Sequence, residues 1–254
     1  MNDWYNKVVL VTGASRGIGS EIVARFARGG ATVFANHPDV DAEQHVQAIE
    51  QQREFLGLSD DRVISVSADV ADSKRVTAMF AWIAQQCGRL DILINNAGIN
   101  RDRTVAKMTD EEWNDVLAVN LNGTFFTCRA AAKAMPGPGR IVNIASVIAF
   151  TGNYGVANYA ASKSAVLGLT RTLALELAPR QITINAVCPG FVDTSMTRGI
   201  RQDVLELILQ RIPMRRLGLP SEIASCVLFL SSEDAAYITG HSICVDGGFY
   251  TGGM

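Results

Sequence analysis

Seven short runs rich in β-branched residues recur along this 254-residue chain, at residues 8–11, 32–35, 63–66, 92–94, 141–144, 182–187 and 243–245, with helix-length stretches between them. A strand that is apolar at nearly every position is covered on both faces. A strand that must re-enter the same sheet in parallel needs a crossover helix. The rhythm therefore predicts an α/β fold with a parallel sheet and helices on both faces. Residues 20–28 and 42–55 are amphipathic helix candidates, the second with charged and glutamine side chains outward. Thr109 before Asp110, Glu111 and Glu112 predicts a helix start, because carboxylates in the first turn meet the positive helix end. The Gly-Pro cluster at 135–139 is short enough for a helix-to-strand loop. No linker, repeat or charge block divides the chain, so a single domain over residues 1–254 is expected.

Charge and cysteine usage bound the partners. A formal charge of -2 provides no basic field to follow a phosphate backbone, which argues against nucleic acid, and Arg215-Arg216 reads as a solvated turn. Five scattered cysteines at no metal-ligand spacing read as small buried hydrophobes in a reducing compartment, and neither His45 nor His241 completes a metal set. Asp3 and the brevity of the apolar run at 8–11 fit neither a secretory leader nor a membrane span, so a cytoplasmic location without membrane contact is expected.

The first run leads through Thr12-Gly13-Ala14-Ser15-Arg16-Gly17-Ile18-Gly19 into a helix expected to begin near Ser20. Glycines let the backbone turn sharply and approach a pyrophosphate, whose charge the free amides of a helix N-terminus stabilise. The spacing is Gly-x-x-x-Gly-x-Gly, and a ligand-free strand-to-helix turn also favours glycine, so the loop alone does not decide the matter. NAD-selective folds place a carboxylate at the end of the second strand. Here that stretch reads Ala35-Asn36-His37-Pro38. Arg16 suits a 2′-phosphate instead, so NADP(H) is favoured over NAD(H), the alternative for Arg16 being an exposed loop charge. His37 reads as a polar turn residue before proline.

Tyr159 and Lys163 stand at i, i+4 in a helical stretch running to about Ala178, so phenol and ammonium share a face. A free phenol has a pKa near 10, and a neighbouring cation is expected to lower it. Ser146 follows the run at 141–144, at the carboxyl edge where ligands lie in open parallel sheets. Arg171 and Glu176 read as surface residues of the same helix.

Taken in order, the glycine loop, Asn95-Asn96-Ala97-Gly98, Asn120, Ser146, Tyr159, Lys163 and Pro189-Gly190 with Thr194 closely resemble the short-chain dehydrogenase/reductase family over the whole chain. The resemblance implies a Rossmann-type, doubly wound sheet of seven parallel strands and a ketone-reducing activity. It implies catalytic roles for Asn120, Ser146, Tyr159 and Lys163, with Asn120 anchoring a water that relays protons to Lys163 and Lys163 also holding ribose hydroxyls. The cofactor contacts it implies are Gly13, Ser15, Arg16, Gly17, Ile18 and Gly19 at the phosphates, and Asp69 and Val70 at the adenine. Asn96, Ala97 and Gly98 fall near the ribose, and Pro189, Gly190, Val192 and Thr194 near the nicotinamide. Asn95 is expected to brace the sheet.

Within that family, residues 95–102, 152–159 and 189–197, the last including Met196, look like β-ketoacyl thioester reductases acting on acyl-carrier-protein or CoA substrates. The stretches 200–205 and 216–220 lie nearer the acetoacetyl-CoA type. Residues 204–212 are either a lid over the thioester arm or an ordinary packed helix. A dehydrogenase of a polyol, diol or steroid is the alternative within the family, and a dinucleotide-binding regulator the alternative outside catalysis. The resemblance also implies a homotetramer, with residues 247–250 near an interface.

Overall fold

The computed structural model describes residues 4–58, 62–195 and 197–251; Asp3 and Met196 lie outside them. In chain order the elements are β1 (Val8–Val11), α1 (Gly17–Arg28), β2 (Thr32–His37), α2 (Ala42–Phe55), β3 (Val63–Ser67), α3 (Ser73–Cys87), β4 (Ile92–Asn95) and α4 (Asp110–Leu117). A π-helical segment, Ala118–Gly123, joins α4 to α5 (Thr124–Ala134). There follow β5 (Gly139–Ile144), the short α6 (Ile148–Thr151), α7 (Ala157–Leu177), β6 (Ile182–Pro189), α8 (Gln202–Arg211), α9 (Pro220–Ser231) and β7 (Ser242–Val245).

All strand pairs are parallel and form one seven-stranded sheet in the order β3-β2-β1-β4-β5-β6-β7. This is the doubly wound arrangement implied by the family resemblance. The order reverses between β1 and β4, and a crevice opens there above the strand ends. Strand alternation explains the two cores. Val9, Val11, Val33, Ile94 and Val142 point to one face and pack on Ile22 and Phe26 of α1 and Ile223 and Val227 of α9. Val8, Leu10, Phe34, Leu93 and Ile141 point to the other and pack on Phe80 and Ile83 of α3, Ala131 of α5 and Leu177 of α7. Every residue of β1, β4, β5 and β6 is buried; β1 therefore reads as an unbroken apolar run, whereas β5 and β6 bury Arg140, Asn143, Thr183 and Asn185 among their apolar residues.

The sequence boundaries need three corrections. Helix α1 begins at Gly17, not near Ser20, so the last two loop glycines belong to its first turn. Strand β2 runs on through Asn36 and His37, both buried. His37 is therefore no turn residue: Nδ1 lies 2.8 Å from the Pro38 carbonyl and Nε2 3.0 Å from Ser65 Oγ on β3. Hydrogen bonds taken up by the neighbouring strand let these polar residues sit where the pattern suggested an exposed end. Residues 204–212 are mostly α8, which ends at Arg211, and Ile212 is buried while Leu207 is 60% exposed.

Thr109 caps α4 reciprocally with Glu112, and residues 42–55 are helical as expected. Arg171 and Glu176 are exposed. Arg216 does lie in an exposed turn, and there it forms a two-pronged ion pair with Glu222, at 2.7 Å for each contact. That pair and the Leu219 amide hold the Glu222 carboxyl down to about 2. Cys128 and Cys188 are buried, whereas Cys87, Cys226 and Cys244 are only half-buried. No helix among the described residues is long and apolar enough to cross a membrane.

Candidate active site

Two loops from opposite sides of the switch point are stitched together first. Thr12 Oγ1 accepts from the amides of Asn96 and Ala97 at 3.0 Å each, while Asn96 Nδ2 donates to the carbonyls of Thr12 at 3.0 Å and Gly13 at 2.9 Å. The Asn96 side chain thus braces the glycine loop, and Asn96–Gly98 offer their backbone to the crevice floor. Gly13 has φ +62°, and a Cβ there would lie 2.8 Å from Ala97 Cα. A Cβ on Gly19 would lie 2.3 Å from the Gly13 carbonyl oxygen, closer than atoms can approach. The first turn of α1 carries no acidic residue, and its N-cap, Arg16, makes no side-chain cap, so its amides are free for an anion.

These elements form one elongated cleft. It is lined by Ser146, Tyr159, Lys163, Pro189, Gly190, Val192 and Thr194 on the β5–β6 side and by Gly13, Ser15, Arg16, Gly17 and Ile18, with His45, Asp69 and Val70, on the β1–β3 side, and Asn96, Ala97 and Gly98 follow β4 between them. Gly19 and Asn120 stand behind this lining: Gly19 is buried against the loop, and Asn120 lies under Gly98. A backbone pared to glycine where a Cβ would clash, free helix amides and a terminal arginine together fit a pyrophosphate-bearing dinucleotide.

At the inner end, Ser146 follows β5 and Tyr159 and Lys163 project from α7. Ser146 and Tyr159 line the same end of the cleft, near enough for Ser146 to favour the ionised phenol. Lys163, 4% exposed, donates from Nζ to the Ile144 carbonyl at 2.8 Å and lies 5.7 Å from the centre of the Tyr159 ring. Asn120 sits in the π-helical segment, where its Oδ1 accepts from the Ile99 amide at 2.9 Å and its Nδ2 donates to the Ile99 carbonyl at 3.0 Å and to Ser162 Oγ at 3.1 Å. It clamps the loop after β4 against α7.

A family model described as enoyl-(acyl carrier protein) reductase matches residues 13–250. The 3-oxoacyl-[acyl-carrier-protein] reductase of Vibrio harveyi is 42% identical over 246 residues, 96% of this chain and 97% of that protein. Its counterpart in Escherichia coli strain K12 is 43% identical over the same shares of the two chains. A crystal structure from Brucella melitensis, titled short-chain dehydrogenase/reductase and glucose/ribitol dehydrogenase, superposes with a TM-score of 0.91 at 33% identity, covering 98% of this chain and 99% of that one. The chain belongs to the short-chain dehydrogenase/reductase family.

As a short-chain dehydrogenase/reductase it uses a nicotinamide dinucleotide, and the cleft is of a kind to take one. Its electrostatics differ from the sequence expectation at one point. Tyr159 is half-buried as a residue, but its hydroxyl is packed about by protein. That burial, reinforced by Asp102, raises its pKa, and only the nearby Ser146 opposes the rise. The expected depression by Lys163 is not seen, because the ammonium lies over the ring and donates to a backbone carbonyl. Burial in turn brings Lys163 down from 10.5 to about 8, against a small opposing effect of Cys188. Asn95 braces the sheet as expected, donating to Asn143 Oδ1 at 2.8 Å and accepting from Thr127 Oγ1 at 2.6 Å.

Two residues of this region escaped the sequence reading. Asn158 donates to the carbonyls of Arg101 and Glu112 at 3.0 Å each and accepts from the Tyr159 amide at 2.8 Å, so it fixes the start of α7 beneath the phenol. An asparagine beside the tyrosine at a helix start was the available signal. His45 lines the far end of the cleft, although nothing in its surrounding sequence marks it.

Proposed function

We propose that this enzyme reduces a 3-oxoacyl thioester, carried on acyl-carrier protein or CoA, to the 3-hydroxyacyl thioester with NADPH, in the cytoplasm and as a homotetramer. The observation that carries the reading is the convergence of Ser146, Tyr159 and Lys163 on the inner end of the cleft, with the Lys163 ammonium 5.7 Å from the centre of the Tyr159 ring. The dinucleotide supplies the hydride when bound. Tyr159 gives its proton to the developing alkoxide, and Ser146 donates a hydrogen bond to the same oxygen. A buried phenol with a raised pKa keeps its proton until an oxyanion is there to take it. Lys163 holds ribose hydroxyls and, once drawn toward them from the Ile144 carbonyl, stabilises the phenolate left behind, while Asn120 positions the loop above it and anchors the water that returns the proton.

The Ser146 and Tyr159 hydroxyls suit a carbonyl oxygen, which accepts two hydrogen bonds, better than the carbon–carbon double bond named in the family model's description. Arg16 at the phosphate end supports NADPH, because no carboxylate ends β2 to receive a ribose hydroxyl. Phe191, between the cleft-lining Gly190 and Val192, packs on Phe249 at 5.4 Å, and this apolar pair supports an acyl chain. The 3-oxoacyl-[acyl-carrier-protein] reductases among its relatives support the carrier. Five free thiols support a reducing compartment, and Phe125, Leu175 and Val105, all exposed, support subunit contacts.

The test compares kcat/KM for acetoacetyl-CoA, crotonyl-CoA and a panel of polyols and diols, with NADPH for reduction and NADP for oxidation. Acetoacetyl-CoA is expected to lead by well over tenfold, about 1.4 kcal/mol at the transition state. A polyol or an enoyl thioester ahead by that margin overturns the substrate assignment. Light scattering of the purified protein checks the tetramer.

A further inference from the structure

The end of the cleft away from Ser146 and Tyr159 is lined by one histidine that the reduction does not use, His45, with a second, His37, buried behind it. His45, in the first turns of α2, is half-buried and lines the cleft next to Ser15 and Arg16. Its Nδ1 lies 2.8 Å from Ser15 Oγ in the phosphate loop, and its ring stacks on His37 at 5.6 Å between centres with 28° between planes. His37 is fully engaged: a carbonyl can only accept, so Nδ1 must carry the proton shared with Pro38, and Nε2 meets the Ser65 hydroxyl. His45 Nε2, in contrast, has no hydrogen-bond partner among the described residues. Arg16 is exposed at the same place and forms no ion pair among the described residues.

The groups facing His45 come from every element around it. Arg16 from the phosphate loop and His37 from β2 both disfavour a second cation, and Asp41, the N-cap of α2, favours one. Asp39 is taken by Arg75 of α3 and by Ser67, and Asp69 accepts from the Ala71 amide. Burial, with His37 and Arg16, outweighs Asp41 and holds His45 below its ordinary 6.5. By itself, then, the ring is neutral at pH 7. A phosphomonoester carries -1.5 to -2 charges at that pH, and one held between Arg16 and His45 replaces net repulsion with attraction.

We propose that His45 is a second, proton-dependent reader of the cofactor's 2′-phosphate, taking up a proton when NADPH binds and so making the preference for NADPH over NADH stronger at acid pH. The proposal rests on the reading that the cleft takes NADP(H). NADH brings no anion to this end and leaves the ring neutral. The sign follows from linkage: NADPH raises the pKa of His45, so NADPH affinity falls as pH rises through the bound-state value, while NADH affinity does not follow it.

The test measures dissociation constants for both cofactors by nicotinamide fluorescence at pH 6.5 and 8.5, in the wild-type protein and in His45→Gln and His45→Arg. Calorimetry at pH 7 in two buffers of different ionisation enthalpy counts protons taken up on binding. The wild-type preference for NADPH is expected to fall about tenfold between the two pH values, with proton uptake on binding NADPH and none on binding NADH. His45→Gln keeps a partner for Ser15 without the charge, and is expected to lose both the uptake and the pH dependence. His45→Arg, charged throughout, is expected to keep its preference at pH 8.5. Proton uptake that persists in His45→Gln, or a wild-type preference unchanged with pH, overturns the role of His45 and leaves the NADPH assignment standing. Equal affinity for the two cofactors at both pH values overturns the NADPH assignment and this inference with it.

Discussion

Replacing Lys163 by methionine should silence the enzyme and at the same time lift a pH-dependent load on its stability. Lys163 is 4% exposed, so solvent screens it little, and its pKa falls from 10.5 to about 8. At 1.36 kcal/mol per unit, holding the ammonium in the fold costs about 3 kcal/mol at pH 7. The folded pKa lies below the unfolded one, so the cost is complete below about 8 and is relieved as pH rises toward 10.5. Methionine fills the same space without charge, though it leaves the Ile144 carbonyl without its donor, a loss of about 1–3 kcal/mol. The two effects nearly cancel at pH 7. Their difference in pH dependence does not cancel. Guanidinium unfolding of both proteins at equal protomer concentration should show the wild type gaining about 2–3 kcal/mol on Lys163→Met between pH 7 and pH 10. A stability difference constant to within about 0.5 kcal/mol across that range would show that Lys163 carries no such burial cost.

Three further outcomes are expected. Tyr159→Phe should abolish turnover while NADPH still binds, since the ring remains and the transferable proton does not; a near wild-type kcat would sink the proton-donor assignment. Arg16→Ala should raise KM for NADPH far more than for NADH, because a charged contact to phosphate contributes about 1.5–3 kcal/mol, and equal effects would show that Arg16 does not read the 2′-phosphate. Gly19→Ala should remove cofactor binding, because its Cβ would lie 2.3 Å from the Gly13 carbonyl oxygen; cofactor titration of a variant that still folds is the check, and unchanged affinity would refute the close packing.

What the sequence revealed and what it hid divide along the range of the interactions involved. Strands such as β1 and β4 are buried along their whole length, so their character is written in consecutive residues, and the capping box at Thr109 and Glu112 lies within one turn. The cleft lining was legible because loop, strand ends and α7 each carry a compact motif, and the topology brings them to one sheet edge. The contact of His45 with Ser15 spans 30 residues and depends on how α2 lies against the phosphate loop, which no local pattern states. The same is true of His37, which could be buried only because Ser65 on β3 meets it. The electrostatics of Tyr159 were misjudged for a related reason: spacing places Lys163 nearby, but burial and the Ile144 carbonyl determine where its charge goes.

The π-helical segment Ala118–Gly123 makes the length of the chain before α5 a part of the site. A π-turn holds one residue more than an α-turn, so a single deletion that restored regular winding would leave α4 and α5 nearly in register and would remove the widened turn from which Asn120 reaches Ile99. Asn120 would leave Ile99, and the loop under the cleft would lose both of its clamps at once. Substitutions here act one side chain at a time, whereas a change of length acts on the whole floor of the site. Circular shuffling of fragments, loop grafting or indel libraries built on this scaffold should therefore keep the residue count between α4 and α5 fixed, even where they are free to vary the residues themselves.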